Sequence, residues 1–177
     1  MLSGQGLPIH HIRVVFTSTR DAPLRVRSFL NELTVVVPDS IRINRGRQSI
    51  NEILKKSKYL GASYLIITGI KKGNPSYFRV IDLVTFEQKY FLKIRGVTLL
   101  KELKLVRPKN KVKFACISKV DEEVIRNFLL DIGFYSVTNC NVYAYGYRVK
   151  DDEMSLYELK FLDSANNILG PVIRFII

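Results

Sequence analysis

The sequence lacks the features that define membrane-spanning and secreted proteins. Its purely apolar runs, such as Leu65-Ile66-Ile67, are far shorter than the roughly 20 residues that a helix needs to cross a bilayer. Its first residues show no basic region followed by an apolar stretch, so they do not resemble a secretory signal. We therefore expect a cytoplasmic protein that does not bind a membrane.

Residue types that serve catalysis and metal binding are also scarce. Cys116 and Cys140 fit no metal-ligand spacing, and we expect buried thiols of an intracellular protein. The pair His10 and His11 lies in a leader, where adjacent histidines rarely form a site. There is no Walker loop or G-x-S-x-G motif, and we expect the acidic triplet 151–153 to face water. These absences predict no enzyme, no metal and no cofactor, with a metal-dependent RNA nuclease as the alternative.

Acidic residues are few in only one part of the chain. The whole sequence has 28 lysines and arginines against 16 aspartates and glutamates, a net charge of +12. Residues 1–111 hold 21 basic and 7 acidic residues, a balance of +14, whereas residues 112–177 hold 7 and 9, a balance of −2. This localised excess predicts a face that binds a polyanion, and nucleic acid is the commonest such partner.

The first part of the chain predicts alternating strands and helices. Ile12–Thr19 predicts a strand, and Asp21 is the predicted N-cap of the next helix, with Pro23 in its first turn. The apolar residues of that helix have amphipathic spacing: Val26, Phe29, Leu30 and Leu33. We expect the apolar run 33–38 and residues 40–44 to be extended.

A second helix and three strands follow. Ser49–Glu52 forms a capping box, which predicts a helix start, and Gly61 is predicted to end that helix. Its expected core face holds Ile50, Ile53, Leu54 and Ser57. The predicted strands are Tyr64–Thr68, Tyr77–Leu83 and Phe86–Ile94, with a turn at Lys71–Pro75.

The order of elements then begins again after a basic linker at residues 101–111. A strand at 112–118 precedes a helix that Asp121 is predicted to cap and Gly133 to end. The later predicted strands are Val142–Val149, Leu156–Leu162 and Val172–Ile176. We divide the chain into a basic half (1–100), the linker and a near-neutral half (112–177).

The two halves have similar first units. An offset of 99 positions pairs Arg20 with Lys119, Phe29 with Phe128 and Leu30 with Leu129. Duplication explains this similarity, and chance resemblance of two unrelated α/β units is the alternative. If the chain is a duplication, only the first copy kept its cations.

The cations of the first half are predicted to meet at one edge. Alternating strands and helices predict a largely parallel sheet, in which ligands bind beyond the carboxyl ends of the strands. Three segments lie at such ends: Thr17–Arg20, Asn44–Arg47 and Lys71–Asn74. The cations that they and the first helix bring together are Arg20, Arg25, Arg27, Arg45, Arg47, Lys71 and Lys72.

Two arginines flank Gly46 at the start of a helix, where the macrodipole favours an anion. We interpret the pair as sharing a phosphate with the helix N-terminus, because the guanidinium fork can bind two phosphate oxygens. The alternative is that each arginine is a solvated surface charge. The predicted RNA-binding residues are Thr17, Ser18, Arg20, Arg25, Arg27, Asn44, Arg45, Gly46, Arg47, Lys71, Lys72, Gly73 and Asn74.

The same segments resemble the Brix-domain family of ribosome-biogenesis proteins. TSTRDAPLRVRSF (Thr17 to Phe29) resembles the family's R-x-R-S-F signature, and PDSIRINRGRQS (Pro38 to Ser49) its second motif. Gly73-Asn74-Pro75 is similar to the third, and residues 159–175 look like the closing strands of archaeal members. Asp21 departs from the family, which often has lysine there.

The resemblance implies an α/β fold of two similar halves, each like the anticodon-binding domain of class II aminoacyl-tRNA synthetases. It also implies binding of rRNA or pre-rRNA, a role in rRNA processing and subunit assembly, and other ribosome-assembly proteins as partners. The chain looks like a compact archaeal-type member. Its oligomeric state stays open. A protein–protein adaptor within a ribonucleoprotein complex is the alternative function.

Three tyrosines alternate on a predicted strand of the second half. Tyr143, Tyr145 and Tyr147 therefore share one face of that strand. We expect this face to pack against the helix at 121–132 as core. If the rings are exposed, they could stack on bases or dock a protein, and the near-neutral charge of this half favours a protein.

Overall fold

The computed structural model describes residues 11–137 and 139–177, and the strands in these ranges form a single nine-stranded sheet. The elements are β1 (Val14–Ser18), α1 (Leu24–Val36), β2 (Ser40–Arg42), α2 (Ile50–Tyr59), β3 (Tyr64–Lys71), β4 (Asn74–Asp82), β5 (Gln88–Thr98), a 3-10 helix (Leu100–Leu103), β6 (Ala115–Lys119), α3 (Glu123–Asp131), β7 (Val142–Asp151), β8 (Met154–Leu162) and β9 (Val172–Ile176). The strand order is β2-β1-β3-β4-β5-β9-β8-β7-β6. The mixed α/β class was predicted correctly.

Only part of the first half is parallel. β1 pairs in parallel with β2 and β3, whereas β4 and β5 are antiparallel. The prediction of a largely parallel sheet was therefore wrong beyond β3. The connection from β3 to β4 is the two-residue turn at Lys72 and Gly73, which is too short for the crossover that a parallel pair needs.

The apolar pattern of α1 was predicted correctly, but its boundaries were not. Val26, Phe29, Leu30 and Leu33 are all buried. The helix continues to Val36, so residues 33–36 are helical rather than extended. Pro23 is the N-cap and makes no side-chain hydrogen bond, so the prediction of Asp21 as the cap was wrong.

The start of α2 follows the sequence prediction. Ser49 is the N-cap, and its Oγ accepts the Glu52 N–H at 3.1 Å. Ile53 and Ser57 are buried on the core side of the helix. Gly61 has a φ of +80°, a conformation that glycine adopts without strain, and follows directly after the C-cap Leu60.

The helices cover the sheet unequally. α1 and α3 pack on one side, the helix face, where residues of both halves form one core cluster. The members from α1 and α3 include Phe29, Leu30, Phe128 and Leu129. α2 packs on the opposite side, the far face, and covers only the part around Val15, Leu65 and Ile67.

The basic linker is packed against the first half. It begins inside the 3-10 helix, whose first N–H, that of Leu100, donates to both carboxylate oxygens of Glu32 at 3.1 and 3.2 Å. At the other end, Lys111 Nζ donates to the Ser40 carbonyl at 2.8 Å. The linker is thus tied to the first half at both of its ends, while the division into two halves stays a prediction.

A polar cluster around the end of α3 ties the two halves together. The Arg13 guanidinium donates from Nε and Nη2 to the Asp131 carbonyl at 3.1 and 2.9 Å. The Asp131 carboxylate accepts the Tyr90 hydroxyl and lies 2.8 Å from Lys89 Nζ. Its hydrogen bond raises the pKa of Lys89, and burial raises the pKa of Tyr90, with Asp131 adding to the effect.

The two cysteines are not thiols. Cys116 and Cys140 form a disulfide across 24 positions of sequence, so the prediction of free buried thiols was wrong. Cys116 lies in the buried part of β6, and the bond joins Cys140, two positions before β7, to that strand. Sequence spacing did not reveal the pair, because its proximity depends on the parallel pairing of β6 with β7, which places Cys116 opposite Tyr143, three positions after Cys140.

Candidate nucleic-acid interface

The carboxyl ends of β1, β2 and β3 lie at one edge of the sheet. The Thr19 N–H donates to the Thr68 carbonyl at 3.0 Å, and the Ile43 N–H donates to the Phe16 carbonyl at 2.9 Å. The segments that follow these strands are therefore neighbours. We call residues 17–20, 24–27, 42–47 and 71–74 the basic edge.

Most predicted cations of the basic edge point into solvent. Arg20, Arg27, Arg47, Lys71 and Lys72 are exposed, and Arg45 is half-buried. Within residues 11–137 and 139–177, none of these six side chains forms an ion pair with a carboxylate. One guanidinium nitrogen of Arg45, Nη1, is buried and has no protein partner in the described ranges. The edge therefore presents positive charge that the described part of the protein does not neutralise.

Arg25 has a different role. Its guanidinium donates to Asn74 Oδ1 at 2.9 Å and to the Val97 carbonyl at 3.0 Å, and it pairs with Glu102 at 2.6 Å. These contacts join α1, the β3–β4 turn, β5 and the 3-10 helix. The cation that was predicted to bind phosphate is thus occupied by protein groups.

One arginine of the edge was missed in the sequence. Arg42 ends β2, where its guanidinium donates to Asn31 Oδ1 at 2.9 Å and also to Asn44 Oδ1. Burial, followed by the nearby charge of Arg27, lowers the pKa of Arg42. Like charges therefore lie together here. Its place at a strand end, two residues before Asn44, is the signal that could have identified it.

Two hydroxyl residues of the edge, Thr17 and Ser18, are buried. Thr17 is 0% exposed and its Oγ1 donates to the Ile43 carbonyl at 2.8 Å. Ser18 is buried and donates to the Arg20 carbonyl at 2.5 Å. Both hydroxyls thus bond to backbone carbonyls at the strand end, while their bonds to sugar or base stay a prediction.

The glycines of the edge shape its loops. Gly46 and Gly73 have φ values of +49° and +77°, and a Cβ at either position would meet no atom within 4 Å. Asn74 donates from Nδ2 to the Lys72 carbonyl at 3.1 Å, which closes the turn. Asn44 is exposed, but its amide oxygen is already bonded to Arg42.

In the second half, the connection from a strand to a helix has the opposite chemistry. There the strand β6 leads into α3, and Glu122 is the N-cap. Asp121 does not cap the helix as predicted; instead its carboxylate binds Arg148 at 2.8 Å and accepts the Tyr157 hydroxyl at 3.0 Å. These hydrogen bonds, that of Tyr157 first, lower the pKa of Asp121. The acidic side chains of Asp121 and Glu122 before α3 therefore have a cationic partner, whereas the six cations of the basic edge have no carboxylate partner in the described ranges.

The tyrosine row faces away from α3. Val142 and Ala144 belong to the helix-face core, so Tyr143, Tyr145 and Tyr147 lie on the far face, where they are half-buried. The prediction that they pack against the helix was wrong. The register of β7 in the sheet, which the sequence does not specify, decides which side they take.

No group of three or more histidine, cysteine, aspartate or glutamate side chains within residues 11–137 and 139–177 could hold a metal ion. None of the helices in these ranges is long and apolar enough to cross a membrane.

Comparisons with known proteins identify the family. No family model matches the chain. A probable Brix domain-containing ribosomal biogenesis protein of Sulfurisphaera tokodaii is 54% identical over 94% of this chain and 93% of its own length. Its counterpart in Saccharolobus solfataricus is 37% identical over 90% of this chain and 94% of that protein.

A solved structure shares the fold. The crystal structure of a probable ribosomal biogenesis protein from Aeropyrum pernix superposes with a TM-score of 0.72 at 21% identity, over 93% of this chain and 95% of the other. The two relatives carry the name of the family that the motifs around the basic edge resemble. The chain belongs to the Brix-domain family.

Proposed function

We propose that this protein is a non-catalytic ribosome-biogenesis factor that holds rRNA or pre-rRNA along the basic edge during processing and subunit assembly. The observation that carries the proposal is the set of six cations at one sheet edge without a carboxylate partner in the described ranges. The names of the two relatives, both probable ribosomal biogenesis proteins, support it.

The geometry suits a phosphate backbone. The loop that carries Arg45 and Arg47 leads directly into the N-terminus of α2, where backbone N–H groups and the helix dipole favour an anion. Arg27 and Arg42 form a second positively charged site. A bound anion would offset the repulsion between their two guanidinium groups. Phosphate contacts of this kind position an RNA without reading its sequence.

The proposal extends to origin, partners and location. If β2 and α2 are set aside, the order strand, helix, parallel strand and two antiparallel strands occurs in β1-α1-β3-β4-β5 and again in β6-α3-β7-β8-β9, which supports a duplication of an anticodon-binding-like unit. Other assembly proteins are the proposed partners, and the cytoplasm is the proposed location.

A second candidate function, that of a protein adaptor, is favoured by the half-exposed tyrosine row on the near-neutral half.

The test is RNA binding across a salt series for an Arg27→Ala/Arg45→Ala/Arg47→Ala variant. Each lost phosphate contact lowers the log–log salt slope by about 0.7 on single strands, so the slope should fall by about 2. Arg25 is left intact because its replacement would break tertiary contacts. Fragments of rRNA should stay uncut when Mg²⁺ is added, since cleavage would indicate the nuclease alternative.

The matched control is a Lys113→Ala/Lys119→Ala/Lys150→Ala variant. These three lysines are exposed in the second half, so the variant loses the same charge elsewhere. The log–log salt slope of its RNA binding should stay close to that of the unmodified protein. Equal losses in the two variants would mean that net charge alone attracts the RNA, and the basic edge would not be the binding site.

A further inference from the structure

A groove on the far face runs from the β3–β4 turn across β4 and β5 to the ends of β8 and β9. It encloses about 730 Å³ and begins at Lys71, Lys72 and Asn74, which belong to the basic edge. Leu92 and Ile94 of β5 point into the helix-face core, so the alternate residues Phe91, Lys93 and Arg95 line the groove. The groove is therefore a continuation of the edge rather than a separate pocket.

The lining of the groove carries charge of one sign. Its charged side chains are Lys71, Lys72, Lys93 and Arg95, and no carboxylate of the described residues lines it. In the same part of the chain, Arg95 is the one of the four with an ion-pair partner, Asp151, at 3.6 Å. The surface is thus complementary to a chain of negative charges.

Two aromatic rings lie between these cations. Tyr77 and Phe91 stack with ring centroids 4.7 Å apart and planes at 30°, and Phe91 is 45% exposed. The Tyr77 ring rests directly on Gly69, where a Cβ would come within 2.1 Å of it. Glycine at this position allows the ring to lie against the strand, so the pair presents aromatic surface beside the lysines.

We propose that this groove binds an unpaired segment of the RNA, with a base stacked on the exposed ring of Phe91, which Tyr77 supports from beneath, and phosphates beside Lys71, Lys72 and Lys93. The inference rests on the proposed function and names the class of RNA that it involves. Aromatic side chains between cations are the general means of holding single strands, whereas a duplex keeps its base faces covered.

The surroundings of the groove limit where the strand can run. At one end the groove meets the basic edge through Asn74, which is bonded to Arg25. At the other end lies the β7–β8 hairpin, whose tip carries Asp151, Asp152 and Glu153 beside Arg95. These acids repel phosphates, so the strand should leave the groove before the hairpin.

The test is binding of a short oligouridine and of an RNA duplex by fluorescence anisotropy, for Phe91→Leu and Tyr77→Leu. Loss of one stacked base should weaken oligouridine binding about 5- to 150-fold. The salt slope should not change, because no phosphate contact is removed, and duplex binding should stay near that of the unmodified protein. Lys93→Ala should instead lower the slope for oligouridine by about 0.7.

Tyr145→Leu is the matched control, because Tyr145 is a half-buried tyrosine of the same face outside the groove. Oligouridine binding unaffected by all three groove variants would overturn the inference, and it is the result expected if a protein occupies the groove. If RNA binding is weakened in the triple-arginine variant alone, the basic edge binds RNA and the groove does not. If RNA binding is weakened in the groove variants alone, the groove binds RNA and the proposal for the basic edge fails. Thermal unfolding of each variant confirms that the fold is intact.

Discussion

Glu32 is a carboxylic acid enclosed beneath the 3-10 helix, 4% exposed. Burial raises its pKa above the ordinary value of 4.5, and the Leu100 N–H partly offsets this. The unfolded chain therefore releases this proton at lower pH than the folded protein does. The stabilisation that comes from holding this proton is fully present below about pH 4.5. It is lost as the pH rises through the folded-state pKa of Glu32.

A Glu32→Gln variant should lack this pH dependence. Its free energy of unfolding, relative to that of the unmodified protein, should rise between pH 4 and pH 8 by about 1.4 kcal/mol for each unit of pKa difference. Urea unfolding at a series of pH values measures it. Glu87→Gln, at an exposed position, should give no such trend. A constant difference across the range would mean that Glu32 is equally ionised in both states.

Single residues were predictable where their partners are close in sequence. Ser49 and Glu52 were identified correctly, because a cap is decided within one helical turn. The protein contacts of Thr17 and Arg25 were not foreseen, because their partners Ile43, Val97 and Glu102 lie 26 to 77 positions away. The exposed cations were correctly expected at the strand ends, but their binding of RNA stays a prediction.

At the scale of elements, α2 is the helix whose start the sequence specifies best. Replacing Ser49 with Ala removes the acceptor for the Glu52 N–H, so the free energy of unfolding should fall by about 0.5–2 kcal/mol. Chemical denaturation measures the change. Ser164→Ala, in an exposed loop, is the control and should change it little. An equally small effect at Ser49 would show that tertiary packing alone fixes the helix start.

Helices and strands were foreseen better than their arrangement. Amphipathic spacing located α1, α2 and α3, because core contact requires that spacing. The direction of β4 and the side taken by the tyrosine row were wrong. Both depend on which strands become neighbours in the sheet, and in this fold β9 inserts beside β5, 74 positions after β5 ends (Thr98 to Val172).

At the scale of the whole molecule, Asp131 joins the halves. An Asp131→Ala variant loses the bonds to Tyr90 and Lys89, while the Arg13 bonds to its backbone remain. Because hydrogen bonds to a charged group contribute about 1.5–3 kcal/mol, the free energy of unfolding should fall by about that amount. Asp152→Ala at the exposed hairpin is the control for calorimetry. Two separate unfolding transitions in the variant would show that this cluster couples the halves; an unchanged melting curve would show that the core alone does so.

The central place of β9 affects how the protein is made. Chains grow from the N-terminus, and units fold as they emerge. β9 comes after every other described strand in the chain, yet it lies between β5 and β8. Until Val172–Ile176 are available, the nascent chain has two incomplete sheets, each with an unpaired edge open to aggregation or to a chaperone. The protein, which we propose to act in ribosome assembly, can thus complete its own sheet only after β9 has emerged from the ribosome that synthesises it.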